Sequence, residues 1–196
     1  PVKEHGQLKV VGTQLTDAKG QAIALHGMSL GWHNLWPRFY NKGVVKTLYK
    51  DWNSTVVRAS MGIELNNKGY LKDPVNSKNL MKNVIDACIK QSVYVIIDWH
   101  SHNIQQKEAV EFFKEMATAY GKYPNVIYEI FNEPDYETWP EVKAYSEELI
   151  KTIRNATAPE ERVRLLAVRE QEGLYYTFVN NYSREDVTSK RIALDA

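Results

Sequence analysis

Apolar positions along the chain change their spacing, and these changes predict alternating strands and helices. Strands are predicted at 54–63, 92–100 and 125–131, and the run at 92–100 is apolar over most of its length, as expected for a parallel sheet that is covered on both faces. Apolar positions with helical spacing follow these runs at 80–88, 109–120 and 142–153. A further strand is predicted at 163–168. The alternation predicts β/α units around a parallel sheet.

The two ends of the chain show different patterns. Residues 8–26 predict two short strands around the turn sequence DAKG at 17–20, and therefore an N-terminal β-hairpin. After Val168 the alternation weakens: 173–180 and 191–194 are strand candidates without a clear helix between them. We therefore expect one domain over 1–196, with β/α units over 1–168 and an irregular tail over 169–196.

The positions of the polar motifs distinguish two parallel architectures. HGM at 26–28, His33, Arg58, DWHSH at 98–102 and NEP at 132–134 are expected at or just after strand ends, where a (β/α)8 barrel gathers its reacting groups. No glycine-rich phosphate loop follows the first strand, which disfavours a doubly wound nucleotide-binding fold. Because a complete barrel takes ~250 residues, the pattern predicts a partial, truncated or half (β/α)8 barrel.

Composition narrows the class of partner. Formal net charge is +1, with Lys and Arg scattered along the chain, so neither nucleic acid nor an anionic membrane is an expected partner. No apolar run approaches the roughly 18 residues of a membrane-spanning helix. The single cysteine, Cys88, lies at an apolar position of a predicted helix and is expected to pack as a thiol.

The stretch NVIYEIFNEP at 125–134 ends a buried strand on an amide and a carboxylate. Glycoside hydrolysis needs one carboxylic acid to protonate the leaving oxygen, and burial at a barrel mouth can raise the pKa of such an acid. Glu133 fits that role, and Asn132 fits a hydrogen bond to a neighbouring sugar hydroxyl. The structural alternative is a helix-capping or salt-bridged Glu133.

Four motifs together resemble family 5 glycoside hydrolases, specifically bacterial endo-β-1,4-glucanases (cellulases). They are HGMSLGWHNLWPRFYN, VVRASMGIE, YVIIDWHSHN and YPNVIYEIFNEP, and the resemblance covers roughly residues 5–155. It implies a (β/α)8 barrel, a retaining mechanism, a β-glucan substrate, no cofactor and no metal. The expected location is extracellular or periplasmic, for a mature, secreted form.

The resemblance assigns roles to individual residues. Glu133 takes the position of the general acid/base, and Asn132 that of the preceding amide. Arg58 matches an arginine that supports the nucleophile, and His100 matches a histidine at the end of the third strand. Both are expected to provide polar support.

The second carboxylate of the mechanism has no match. Nothing after Glu133 resembles the family's nucleophile motif, and the nearby Glu170 and Glu172 are weak candidates that more often represent solvated loop charges. A second hypothesis follows, in which the chain is a non-catalytic glucan-binding remnant or a fragment that lacks the nucleophile.

Three further expectations concern binding and assembly. His33 and Trp36 could contact the substrate, Trp36 by stacking, or could pack internally. His102 is a further candidate for substrate binding or support, and the H-x-H pair that it forms with His100 leaves a metal-dependent hydrolase as a minor alternative. Because half a barrel has two open sheet edges, we expect a homodimer or larger assembly.

Overall fold

The computed structural model describes residues 1–65, 67–157, 166–168, 175–176 and 192–193. Its centre is a five-stranded parallel sheet in which the strands follow one another in chain order. The strands are β3 (Gly27–Trp32), β4 (Val56–Gly62), β5 (Tyr94–His100), β6 (Val126–Phe131) and β7 (Leu166–Val168). A doubly wound sheet would reverse its strand order at a switch point. The unbroken order is that of a barrel wall.

Four helices connect these strands: α2 (Lys42–Asp51), α3 (Pro74–Gln91), α4 (Gln106–Tyr120) and α5 (Trp139–Ala156). Local signals define their ends. The side chain of Asn41 accepts hydrogen bonds from the Gly43 and Val44 amides at 2.8 and 3.1 Å, which begins α2. The helix α3 ends at Gln91 and is capped by Ser92 in the left-handed conformation, with φ 58°. The described residues thus form a partial (β/α)8 barrel, as the sequence predicted.

Alternate strand residues face the helices and form the main core. On β5, Val95, Ile97 and Trp99 are fully buried in this layer, whereas Asp98 and His100 belong to the other face. Trp99 packs against Tyr70 and Phe112 with ring centroids 5.1 and 5.4 Å apart. Cys88 is buried here as predicted. Among the described helices, none combines the length and apolar character needed to cross a membrane.

A second core closes the N-terminal end of the sheet. The short helix α1 (Val2–His5) and the hairpin β1 (Lys9–Val11) and β2 (Gln14–Thr16) lie there. Its buried residues come from α1, from the hairpin with the residue before it, and from the first residues of β4, β5 and β6: Val2, Leu8, Val10, Leu15, Val56, Tyr94 and Ile127. The Tyr94 hydroxyl also donates to the Gly6 carbonyl at 2.6 Å.

The hairpin was predicted, but its turn was placed wrongly. The chain reverses between β1 and β2, whereas DAKG forms a later turn that is followed by one isolated bridge, Thr16 to Ala22. The buried side chain of Asp17 stabilises this later turn by accepting from the Lys19 and Gln21 amides at 2.8 and 2.9 Å.

The strand β3 was missed, and HGM begins it rather than following a strand. Its three polar or glycine positions, Gly27, Ser29 and Gly31, hide the usual apolar pattern. A Cβ at Gly27 would lie 1.7 Å from the Val56 carbonyl oxygen, so glycine is required by the close approach of β4. Gly31, at φ 69°, lies where the β3–β4 register shifts.

The tail is described only in part. Tyr175–Tyr176 (β8) and Ile192–Ala193 (β9) pair antiparallel, in the segments predicted as strands. The weak nucleophile candidates Glu170 and Glu172 lie outside the described residues.

Candidate active site at the carboxyl ends of the strands

A polar row crosses three neighbouring strands near their carboxyl ends. Ser60 on β4 is in register with Asp98 on β5, and Asp98 is in register with Glu129 on β6. All three are fully buried. Because equivalent positions on parallel strands point the same way, the side chains of this row converge on the inner face of the sheet.

Arg58 connects the members of this row. Its Nε and Nη2 donate to the two carboxylate oxygens of Glu129 at 2.7 and 2.6 Å. Its Nη1 donates to the Ser60 hydroxyl at 3.1 Å, and Nη2 lies 2.9 Å from Oδ2 of Asp98. A buried guanidinium flanked by two carboxylates is held in one orientation.

The two carboxyl groups have opposite pKa shifts. Burial, together with the neighbouring charge of Asp98, raises the pKa of Glu129 to about 7 despite the opposing effect of Arg58. Burial acts in the same direction on Asp98, but the charges of Arg58 and His100 lower the pKa of Asp98 below its ordinary value. Of these two carboxyl groups, Glu129 is therefore the one that is protonated at the higher pH.

His100 lies at the end of β5, next to this cluster. Its Nδ1 lies 2.7 Å from Oδ2 of Asp98. The ring of Trp32 meets His100 edge to face, with centroids 4.6 Å apart. Only 7% of the His100 surface is exposed, so it contributes mainly to the wall of the site.

Asn132 follows β6 and joins the cluster. Its Oδ1 accepts from Nη2 of Arg58 at 2.9 Å. Its Nδ2 is buried and has no hydrogen-bond partner among the described residues.

Glu133 is the next residue and is more accessible, with 24% of its side chain exposed. Its backbone amide donates to the carbonyl of Ser101 at 3.3 Å. Ser101 is itself fully buried, and its hydroxyl donates to Glu64 and accepts from the Asn103 amide. The acid candidate is thus anchored through its backbone, while its carboxylate reaches the surface.

His102 lies beside Glu133, since its Nδ1 is 3.9 Å from Oε2 of that residue. Its ring is tilted over Trp32 with centroids 5.9 Å apart. No group of three or more His, Cys, Asp or Glu residues in the described part of the chain could hold a metal ion. The metal alternative based on His100 and His102 therefore gains no support.

The two predicted substrate contacts have different environments. Trp36 is 44% exposed, and the guanidinium of Arg38 lies 5.1 Å from its ring centroid. His33 is fully buried, and its ring nitrogens contact Ser77 and the Gly62 amide. The expectation that His33 contacts substrate does not agree with this position, because packing of α3 against the strand ends encloses the ring.

Sequence reasoning missed Glu129, Tyr40 and the central role of Asp98. Tyr40 is buried, and its hydroxyl accepts from the Ser60 amide at 2.9 Å and donates to the Ser60 carbonyl at 2.8 Å. The sequence did carry a signal for two of them, because Asp98 in DWH and Glu129 in YEIF are acidic residues inside apolar strand runs. A buried acid needs a partner, and Arg58 was the candidate.

Comparisons with known proteins identify the family of this chain. Residues 16–187 match the family described as Cellulase (glycosyl hydrolase family 5). The chain belongs to glycosyl hydrolase family 5. Among curated family relatives, it is 40% identical to Endoglucanase Z of Dickeya dadantii over 88% of this chain and 40% of that protein. It is 42% identical to an endoglucanase of Clostridium saccharobutylicum over 76% of this chain and 34% of that protein.

Solved structures show the same fold. The catalytic domain of Thermobifida fusca endoglucanase Cel5A superposes with a TM-score of 0.80 at 32% identity, over 87% of this chain and 56% of that one. A variant of that domain was solved in complex with cellotetraose. The chain therefore spans well under half the length of those two curated family 5 relatives and about half of the solved domain.

Proposed function

We propose that this chain supplies the acid/base part of an endo-β-1,4-glucanase active site. The observation that carries the proposal is the position of Glu133, partly exposed at the carboxyl end of β6 and directly after an amide that Arg58 holds. The matching relatives are endoglucanases, which supports the same reaction class.

Glu133 is the proposed general acid that protonates the leaving oxygen of the glycosidic bond. Asn132 would contact the hydroxyl next to the scissile bond, and Arg58 with His100 would provide polar support. Asp98 and Glu129 are buried and held by Arg58, so neither is placed to attack a sugar carbon. Glu170 and Glu172 remain the proposed, weak candidates for the second carboxylate.

The proposed substrate is a β-1,4-glucan. The cellotetraose complex of the Thermobifida fusca domain supports this class of ligand. The exposed indole of Trp36 offers a flat apolar surface for a sugar ring. Because such a polymer does not cross a membrane, we also propose an extracellular or periplasmic location.

The experiment compares reducing ends released from carboxymethylcellulose by the wild type and by Glu133→Gln, with xylan and mannan as alternative substrates. The substitution should reduce the rate about 100-fold or more, because it removes the proton donor. Glu147→Gln on α5, which is solvent-exposed and pairs with Lys143, is the matched control and should keep full activity. Activity that survives in Glu133→Gln would show that Glu133 is not the acid.

Glucan binding without hydrolysis is the second candidate. It is favoured by the burial of the two carboxylates closest to Arg58, which leaves no second carboxylate assigned to catalysis in the described site. Calorimetry with cello-oligosaccharides, run beside the activity assay, separates the two functions. Binding without turnover supports this candidate, whereas turnover rejects it.

The assembly expectation also remains a proposal. In the described residues, β3 and β7 are the edge strands of the central sheet. Pairing with a second copy would satisfy their open backbone groups. Light scattering at micromolar concentration should then give a dimer or larger species, and a monomer would contradict the proposal.

A further inference from the structure

Glu129 is placed to act on another residue and not on a substrate. Both of its carboxylate oxygens accept hydrogen bonds from one guanidinium, at 2.7 and 2.6 Å, and the side chain is fully buried. A carboxylate with this geometry fixes the plane of the arginine that it binds. Its hydrogen bonds to the active site therefore run through Arg58.

Arg58 in turn selects one orientation of the Asn132 amide. A side-chain amide can expose either its oxygen or its nitrogen, and the two differ by a rotation of the terminal group. The guanidinium has only donors, so its Nη2 donates to Oδ1 of Asn132, at 2.9 Å. The nitrogen then occupies the other branch of the amide, away from Arg58.

The nitrogen of Asn132 has no acceptor among the described residues, although it is buried. Buried donors are nearly always paired, and an unpaired one in a native fold calls for a ligand or another explanation. A sugar oxygen is a suitable acceptor. An amide held in the opposite orientation would offer an oxygen to the same point and would repel an acceptor there.

We propose that Glu129 is a positioning residue that acts through Arg58 to keep Asn132 as a hydrogen-bond donor to the substrate. Glu129 holds Arg58 by two hydrogen bonds, Arg58 holds the oxygen of Asn132, and the free N–H selects an acceptor on the sugar. The nature of that ligand rests on the proposed glucan-directed function. The positioning of Asn132 by Glu129 does not.

The first test examines positioning without any ligand. In protein labelled with ¹⁵N, nuclear magnetic resonance follows solvent exchange of the Arg58 Nε–H and of the Asn132 side-chain amide. Glu129→Gln keeps the volume but replaces one acceptor oxygen by a donor, so exchange at both groups should accelerate at least tenfold. Glu115→Gln makes the same substitution at a surface carboxylate that binds Lys78 and Lys82 at 2.7 Å, and should leave both signals unchanged.

The second test measures the affinity for cellotetraose by calorimetry in a double-mutant cycle. Glu129→Gln and Asn132→Asp should each weaken binding at least tenfold, and the double variant should be no weaker than Asn132→Asp alone. Non-additivity is expected because both changes act on the same N–H donor. A variant that only loosens the fold would add its loss to that of the other.

The outcomes are separable. Unchanged exchange in Glu129→Gln, or additive losses of affinity, would overturn the positioning role. If the wild type neither binds cellotetraose nor releases reducing ends, the glucan proposal fails, and the exchange experiment still decides the role of Glu129. Should Glu129→Gln not fold, Glu129→Asp replaces it, since the shorter carboxylate keeps its charge but cannot span both donors of Arg58.

Discussion

His33 and Ser77 form a buried hydrogen bond of 2.8 Å that links the end of β3 to the first turn of α3. The Gly62 amide donates to Nδ1 of His33 at 3.0 Å, so Nε2 carries the proton and donates to Ser77. The Ser77 hydroxyl then donates to the Asp73 carbonyl at 2.7 Å. This chain of hydrogen bonds requires a neutral imidazole.

Stability should therefore fall in acid because of His33. Burial lowers the pKa of His33 to about 4, whereas the unfolded side chain titrates near 6.5. Between these values the unfolded state binds the proton and the folded state does not, so the free energy of unfolding decreases as the pH falls. The expected loss is about 2–3 kcal/mol between pH 7.5 and 4.5.

Urea denaturation of the wild type and of His33→Asn at these two pH values checks this. Asparagine retains an acceptor near the Gly62 amide but does not titrate, so its pH-dependent loss should be smaller. The difference between the two proteins is decisive, because Glu129, whose pKa is raised, favours the folded state at the acid end of this range. Parallel pH profiles would contradict the role of His33.

Two buried tyrosines should respond oppositely to removal of the hydroxyl group. The Tyr128 hydroxyl has no hydrogen-bond partner among the described residues, whereas the Tyr145 hydroxyl donates to the Ile130 carbonyl at 2.8 Å. Tyr128→Phe should raise the free energy of unfolding by about 1 kcal/mol, and Tyr145→Phe should lower it by about 1 kcal/mol. Chemical denaturation at neutral pH measures both, and equal losses would show that Tyr128 is also paired.

Removal of the Arg58 charge should leave Asp98 and Glu129 buried without compensation. Arg58→Met is expected to lower the free energy of unfolding by roughly 3–5 kcal/mol at pH 8. The loss should be smaller at pH 5.5, because protonation of Glu129 then relieves part of the repulsion. Arg58→Lys, which keeps the charge but loses the two-pronged geometry, should give an intermediate loss. A loss that does not change with pH would argue against this electrostatic account.

Trp36 should contribute to glucan binding and little to folding, since 44% of its surface is exposed. Trp36→Ala should weaken binding of cello-oligosaccharides about 2- to 10-fold, the range expected for loss of one aromatic contact. Trp52, which is 62% exposed and lies between α2 and β4 at the opposite end of the strands, supplies the control. If Trp52→Ala weakens binding equally, the effect is not specific to the proposed site.

The sequence predicted those parts of the fold that depend on local pattern. The apolar run over 92–100 became β5, and helical spacing over 109–120 became most of α4, because backbone geometry imposes these repeats on neighbouring residues. The resemblance also predicted that Glu133, Asn132 and Arg58 belong to the active site. The same local reasoning missed β3, whose glycines are explained only by contact with β4.

The amino-acid sequence by itself determined the alternation of strands and helices, the polar ends of the strands and the family. Only the tertiary structure decided that His33 is enclosed. It also decided that Arg58 on β4 binds Glu129 on β6, which is 71 positions later in the sequence and lies on the far side of β5. The reason is physical: hydrophobic periodicity records which face of an element is buried, whereas the partner of a buried charge depends on strand register and on side chains far away in the chain.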